Sequence, residues 1–144
     1  MKHSGYQTVD TSSVRILVVD DNATNLKLMA AMLKSWGCPH ELASDGESAL
    51  KLLYAAQAEH NPFRITVLDQ QMPSMNGSEL GSRIKADPLL EPTLLVMVTS
   101  MGLRGDALAL EQIGFVGYLT KPVRQIQLRD CIAMVLANDA KATA

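Results

Sequence analysis

The chain has 144 residues and a formal net charge of −2, from 13 Lys and Arg against 15 Asp and Glu. That length fits one compact domain, and 47% hydrophobic with 19% charged residues is the balance of an ordinary globular protein. No apolar run approaches the ~18 residues of a membrane span, the opening MKHSGYQTVDTS has no apolar signal core, and a near-neutral chain lacks the basic face that nucleic-acid binding needs.

Residues 1–13 are polar without apolar period and read as a flexible leader or linker. The first apolar run is VRILVV, 14–19, and a helical pattern follows in Leu26, Met29, Ala30 and Leu33. Asn22 or Thr24 can cap that helix and Gly37 stops it. HELA, 40–43, is a weaker strand, as an edge would be. After Ser44-Asp45 comes a second helical pattern in Ala49, Leu50, Leu53 and Ala56. The stretch AAQAEHNPF, 55–63, makes a long second connection; His60 within it reads as a surface residue, and His3 and His40 carry no signal of function.

RITVL, 64–68, is the third run; Leu80 and Ile84 mark a short helix that ends before Asp87-Pro88. TLLVMV, 93–98, is the fourth; Leu103, Ala107 and Leu110 mark a helix weakened by Gly105. GFVGYL, 114–119, is the fifth; Leu128, Cys131, Ile132 and Val135 mark a last helix after Pro122. Residues 138–144 read as a flexible tail. Cys38 and Cys131 lie in apolar surroundings and read as buried, reduced thiols of a cytoplasmic protein.

Five β-then-α units, with runs apolar on both faces, predict an open, doubly wound α/β domain with a parallel sheet over residues 14–137. In such sheets ligands bind beyond the carboxyl ends of the strands. Asp20 and Asp21 follow the first run, Asp69 the third, Thr99 and Ser100 the fourth, and Thr120, Lys121 and Pro122 the fifth. Crowded carboxylates repel one another, and Mg²⁺, a hard cation that takes carboxylate and phosphate oxygens, relieves that repulsion. A carboxylate is also a nucleophile that can form an acyl phosphate. The residues thus suggest a Mg²⁺-dependent phosphoacceptor site with Asp69 as nucleophile, and Thr99 and Lys121 as partners of the phosphoryl oxygens.

VVDDN (18–22), LDQQMPSMNG (68–77), VTS (98–100) and GYLTKP (117–122) resemble the receiver domain of two-component response regulators, over roughly residues 14–137. The resemblance implies a flavodoxin-like (βα)5 fold with strand order 2-1-3-4-5. It implies that Asp69 takes a phosphoryl group from a phosphohistidine, that Asp21 ligates Mg²⁺ with Asp20 as its partner, and that the Gln71 backbone carbonyl is the third protein ligand. It further implies that Thr99 turns in to the phosphoryl group, that Lys121 pairs with it, and that the Lys121–Pro122 bond is cis. Tyr118 then holds the switch-aromatic position. The expected bistable element is the Thr99–Tyr118 pair with the segment 100–113, in which Gly102 and Gly105 fit a mobile stretch. Gln71 stands where its side chain can influence water attack on the acyl phosphate, and Ser100 replaces the commoner alanine. The implied partners are a histidine kinase or histidine phosphotransfer domain, and a second copy through the face from the fourth to the fifth helix. The DDNATN, TSMGLRGDA and GYLTKPVRQIQL stretches are most similar to receivers of hybrid sensor histidine kinases; a stand-alone single-domain regulator is the alternative.

Rival classes fit less well. A haloacid-dehalogenase-like phosphatase wants a second Asp two residues after its nucleophile, where this chain has Gln71, so the chain is not expected to be a turnover enzyme. A nucleotide binder wants a glycine-rich loop after the first strand, where this chain has DDNATN. Against a non-phosphorylated interaction module stand the intact acidic set and Lys121.

Overall fold

The computed structural model describes residues 13–100 and 107–143. Five strands, β1 Ile16–Val19, β2 His40–Ala43, β3 Ile65–Asp69, β4 Leu94–Thr99 and β5 Phe115–Thr120, alternate with five helices. The helices are α1 Ala23–Ser35, α2 Gly46–Ala58, α3 Gly77–Ala86, α4 Ala107–Ile113 and α5 Gln125–Thr143. The strands form one parallel sheet in the order β2-β1-β3-β4-β5, the doubly wound topology expected from the alternating pattern.

Adjacent strand residues point to opposite faces, and both faces are covered. Ile16, Val18, Ile65, Val67, Val96 and Val98 pack with Met29 and Leu33 of α1 and Leu128 and Ile132 of α5. Leu17, Val19, Leu68, Leu95 and Met97 pack on the other side with Leu53 of α2, Leu80 and Ile84 of α3 and Leu110 of α4. Removing a fully enclosed side chain such as Leu33 by substitution to Ala would cost about 2–5 kcal/mol. β2 is an edge strand and shows it, with Glu41 and Leu42 exposed.

The helix ends follow local chemistry. Asn22 caps α1 by accepting from the Asn25 amide, and Asp45 caps α2 by accepting from that of Ser48. At the end of α1, Gly37 N–H donates to Lys34 O and Cys38 N–H to Leu33 O, with Gly37 at φ +69°. This paired closure needs a left-handed residue, which is why a glycine stops the helix there. Residues 55–58 of the long second connection belong to α2, and His60 is exposed just beyond it.

One expectation needs correcting. The segment from 138 onward, read as a tail, is helical to Thr143. Arg64, just before β3, reaches its Asp139 at 2.8 Å and ties the last turns of α5 to the sheet. The contact joins residues far apart in sequence, so no local pattern announces it. Residues 1–12, with His3, and Gly102, Leu103 and Gly105, on which expectations about the leader and the fourth helix's approach rest, lie outside the described residues.

Candidate functional site

The strand register builds the site. Val19 of β1 lies beside Leu68 of β3, so Asp20 emerges beside Asp69. Asp69 lies beside Val98 of β4, and Thr99 beside Thr120 of β5, one residue before Lys121. Lys121 N–H donates to Thr99 O at 2.8 Å, and the Lys121–Pro122 peptide is cis. Four strand ends therefore deliver Asp20, Asp69, Thr99 and Lys121 to one edge of the sheet.

Asp20, Asp21 and Asp69 each offer a carboxylate oxygen within 4.8 Å of the others'. Asp20 and Asp69 are buried, at 5% and 3% exposure, while Asp21 faces solvent. The Asn22 amide donates to Asp20 Oδ1 at 2.8 Å and fixes that carboxylate. Lys121 Nζ stands 3.1 Å from Asp69 Oδ1 and 3.9 Å from Asp20 Oδ2. Asp69 Oδ1 is buried, and Lys121 Nζ is its ion-pair partner among the described residues. Burial pushes the Asp69 carboxyl above the usual range; Lys121 opposes that shift and the Asp20 charge adds to it. Three carboxylate oxygens this close form a donor set of the hard, anionic kind that a small divalent cation takes.

The loop from β3 to α3 wraps the acceptor. Gly77 N–H donates to Gln70 O at 3.1 Å, and the Gln70 side-chain carbonyl accepts from the Ser78 amide at 2.9 Å. A Cβ on Gly77 would lie 2.6 Å from Asp69 O and 3.0 Å from Gln70 Cα, so only glycine lets the helix start this close to the acceptor's backbone. Asn76 and Glu79 form a capping box over α3. Ser78 carries no signal in the sequence, and Gln70 and Gly77 enter there only as members of the LDQQMPSMNG stretch. The Asn76-to-Glu79 spacing was a legible capping signal, whereas the close approach of Gly77 to Asp69 is a tertiary fact.

Gln71 is exposed, two residues past Asp69. Thr99 is partly buried and lines a cleft of about 210 Å³ with Gln70, Ser78, Met97, Ala109, Leu110 and Ile113. Tyr118 lies beside Met97 in the sheet, half-buried, and donates to Phe115 O at 3.3 Å. Burial raises its phenol pKa, with a contribution from Glu111. His40 and His60 are not among the residues lining the cleft or the carboxylate pocket. Cys38 and Cys131 are buried, free thiols, each pushed up to about 11 by burial.

A doubly wound parallel sheet with three carboxylates and a lysine at its carboxyl edge defines a class of α/β domain with an acidic strand-end site. Comparison with known proteins narrows the class. The sequence model of the response regulator receiver domain matches residues 16–133, and the chain belongs to that family. It is 32% identical over 129 residues to the sensor histidine kinase GacS of Pseudomonas protegens, covering 88% of this chain and 14% of GacS. It is 34% identical to the response regulator PleD of Caulobacter vibrioides (81% of this chain, 24% of PleD). It is 30% identical to the chemotaxis protein CheY of Pseudomonas aeruginosa (85% of this chain, 95% of CheY). The chain thus spans a small part of the first two relatives and nearly all of the third. The structure of chemotaxis protein CheY4 of Vibrio cholerae superposes with a TM-score of 0.75 at 25% identity, covering 85% of this chain and 98% of CheY4. Among the described residues, no helix is long and apolar enough to cross a membrane.

Proposed function

We propose that this receiver domain accepts a phosphoryl group on Asp69 from the phosphohistidine of a histidine kinase or histidine phosphotransfer domain, and that the modification switches its surface. The observation that carries the reading is the buried Asp69 carboxylate at the end of the central strand, with Lys121 Nζ 3.1 Å away and two further carboxylates beside it.

Asp20, Asp21 and Asp69, with the backbone carbonyl of Gln71, would hold Mg²⁺. When bound, the ion supplies charge neutralisation for the phosphoryl oxygens and lets an anionic nucleophile approach an anionic donor. An Asp69 carboxylate oxygen attacks phosphorus; the O–P bond forms, the N–P bond of phosphohistidine breaks, and the imidazole leaves with the bonding pair and takes a proton. Lys121 turns from the carboxylates to the new phosphoryl oxygens. Thr99 supplies a hydroxyl donor to another of them. The added charge of about −1.5 to −2 is the differential contact that biases the switch. Thr99 leaving its side of the cleft next to Met97 and Leu110 makes room for Tyr118, which already packs on that cluster.

The donor protein would dock over the site's rim. Leu28 of α1, which lines the pocket holding Asp20, Asp69 and Lys121, is 55% exposed, and Ile126, at the start of α5 just past the pocket residues Pro122 and Val123, is 67% exposed. Leu108, Val116 and Met134 are exposed on the α4–β5–α5 face, which supports a second copy docking there on phosphorylation. Similarity to the histidine kinases GacS and BarA supports a place in a sensor-kinase phosphorelay, as the receiver of a hybrid kinase; a cytoplasmic location is part of the same proposal. Similarity to CheY supports the second reading, a stand-alone regulator.

The test is labelling by a small phosphodonor with and without Mg²⁺, in wild type and in Asp20→Asn and Asp21→Asn. Labelling that needs Mg²⁺ and falls in both variants is expected. Metal-independent labelling, equal in all three proteins, would refute the assignment of the acidic cluster.

A further inference from the structure

The segment 70–77 is closed at its ends by the Gly77-to-Gln70 and Ser78-to-Gln70 bonds. Between those ends Ser74 is left-handed, at φ +71°, and Met75 is 8% exposed. Met75 does not pack on its own loop alone. Its thioether lies over Gly46, the first residue of α2, where a Cβ would sit 2.7 Å from Sδ and 3.2 Å from Cε. The thioether therefore fills the place a side chain at position 46 would take. α2 is itself held to the sheet by Ala49, Leu53 and Ala56 and capped by Asp45. It gives the loop an anchor outside the loop's own hydrogen bonds.

We propose that the seating of Met75 on Gly46 is a positioning device for the acceptor loop, holding the segment that carries Gln71 in the arrangement the Asp20, Asp21 and Asp69 cluster needs to bind its cation. The inference rests on the reading of that cluster as a metal-binding phosphoacceptor site. Met75 is not a ligand. It acts through the backbone of residues 70–77, as outer-shell groups act on metal ligands elsewhere. A methyl group at position 46 displaces the thioether; removal of the thioether frees the loop.

Two readouts test it on the unphosphorylated protein: the Mg²⁺ dissociation constant, and amide hydrogen exchange of residues 70–77 without metal. Met75→Ala is expected to weaken Mg²⁺ on the order of tenfold and to speed exchange at Gln70 and Gly77; Gly46→Ala, whose methyl meets only the flexible end of Met75, is expected to act in the same direction by less. Met75→Leu, which refills the seat, is expected to stay within about threefold of wild type in affinity, since near-isosteric apolar swaps disturb packing least. The Gly46→Ala/Met75→Ala double variant is expected to be no worse than Met75→Ala alone, because the two changes act on one contact. Ile132→Val, a truncation under the opposite face of the sheet, is expected to lower stability and leave both readouts unchanged.

A folded Met75→Ala protein with wild-type Mg²⁺ affinity and wild-type exchange would overturn the proposal, and so would an Ile132→Val protein that loses affinity equally. If Met75→Ala does not fold, Met75→Val, which also removes the thioether, takes its place, and unchanged affinity and exchange there would overturn the proposal. A wild-type protein that binds no Mg²⁺ removes the reading of the cluster. The metal-free exchange arm still decides separately whether Met75 fixes the loop.

Discussion

Substitution of Gly77 by Ala sets two physical effects against each other. Gly77 opens α3, and at an ordinary helical position Ala is favoured over Gly by up to ~1 kcal/mol. The structure predicts the opposite sign. The new methyl carbon would lie 2.6 Å from Asp69 O, 3.0 Å from Gln70 Cα and 3.1 Å from Asp69 C, all backbone atoms that cannot rotate away. Relief to ordinary contact requires the acceptor's peptide or the helix start to retreat by about 0.8 Å, and overpacking of that kind costs about 1–3 kcal/mol. Because the moved peptide belongs to the nucleophile, the rate should fall too; misplacement of a reacting group by ~1 Å costs up to about a hundredfold. Urea unfolding and initial rates with a small phosphodonor measure both. A Gly77→Ala protein as stable as wild type or more so, and labelled as fast, would refute the reasoning.

Further outcomes follow from the charges around Asp69. Its folded pKa is raised, chiefly by burial, so the fold binds a proton more readily than the unfolded chain and ionised Asp69 costs stability at neutral pH. That cost fades as pH falls through the raised pKa towards 3.8. Without metal, Asp69→Asn should therefore melt above wild type at pH 7, with the gap closing on acidification; a pH-independent gap contradicts this. Lys121→Met removes a cation 3.1 Å from Asp69 Oδ1 and should tighten Mg²⁺ binding in a calorimetric titration while slowing phosphorylation; weaker Mg²⁺ binding contradicts it. Arg64→Ala breaks the 2.8 Å tie to Asp139 at a cost of about 0.2–1 kcal/mol, as for an exposed pair. Faster hydrogen exchange should then be confined to the last turns of α5.

The sheet was legible because its signal is local. Each strand is a short run apolar on both faces, and all five observed strands overlap the runs read from sequence. The weak HELA run proved to be the exposed edge. The positions of Asp20, Asp69, Thr99 and Lys121 followed from the same signal, since each stands at the end of a run and the register then aligns them. What the sequence hid are contacts between distant residues. The Gly77 approach to Asp69, the Met75 seat on Gly46 and the Arg64 tie to Asp139 each join parts of the chain that no local period connects. The tail illustrates this: NDAKATA looks like a frayed end, yet the helix runs to Thr143, and Arg64 pairs with Asp139 within it.

The central claim is that Asp69 is the residue that receives phosphorus. The most direct measurement incubates the protein with a small phosphodonor and Mg²⁺, reduces the acyl phosphate with borohydride, and maps the trapped residue by peptide mass spectrometry. The trapped residue should be Asp69, with no trapped product in Asp69→Asn or in the absence of Mg²⁺. A trapped product at another carboxylate, or undiminished labelling of Asp69→Asn, would contradict the account.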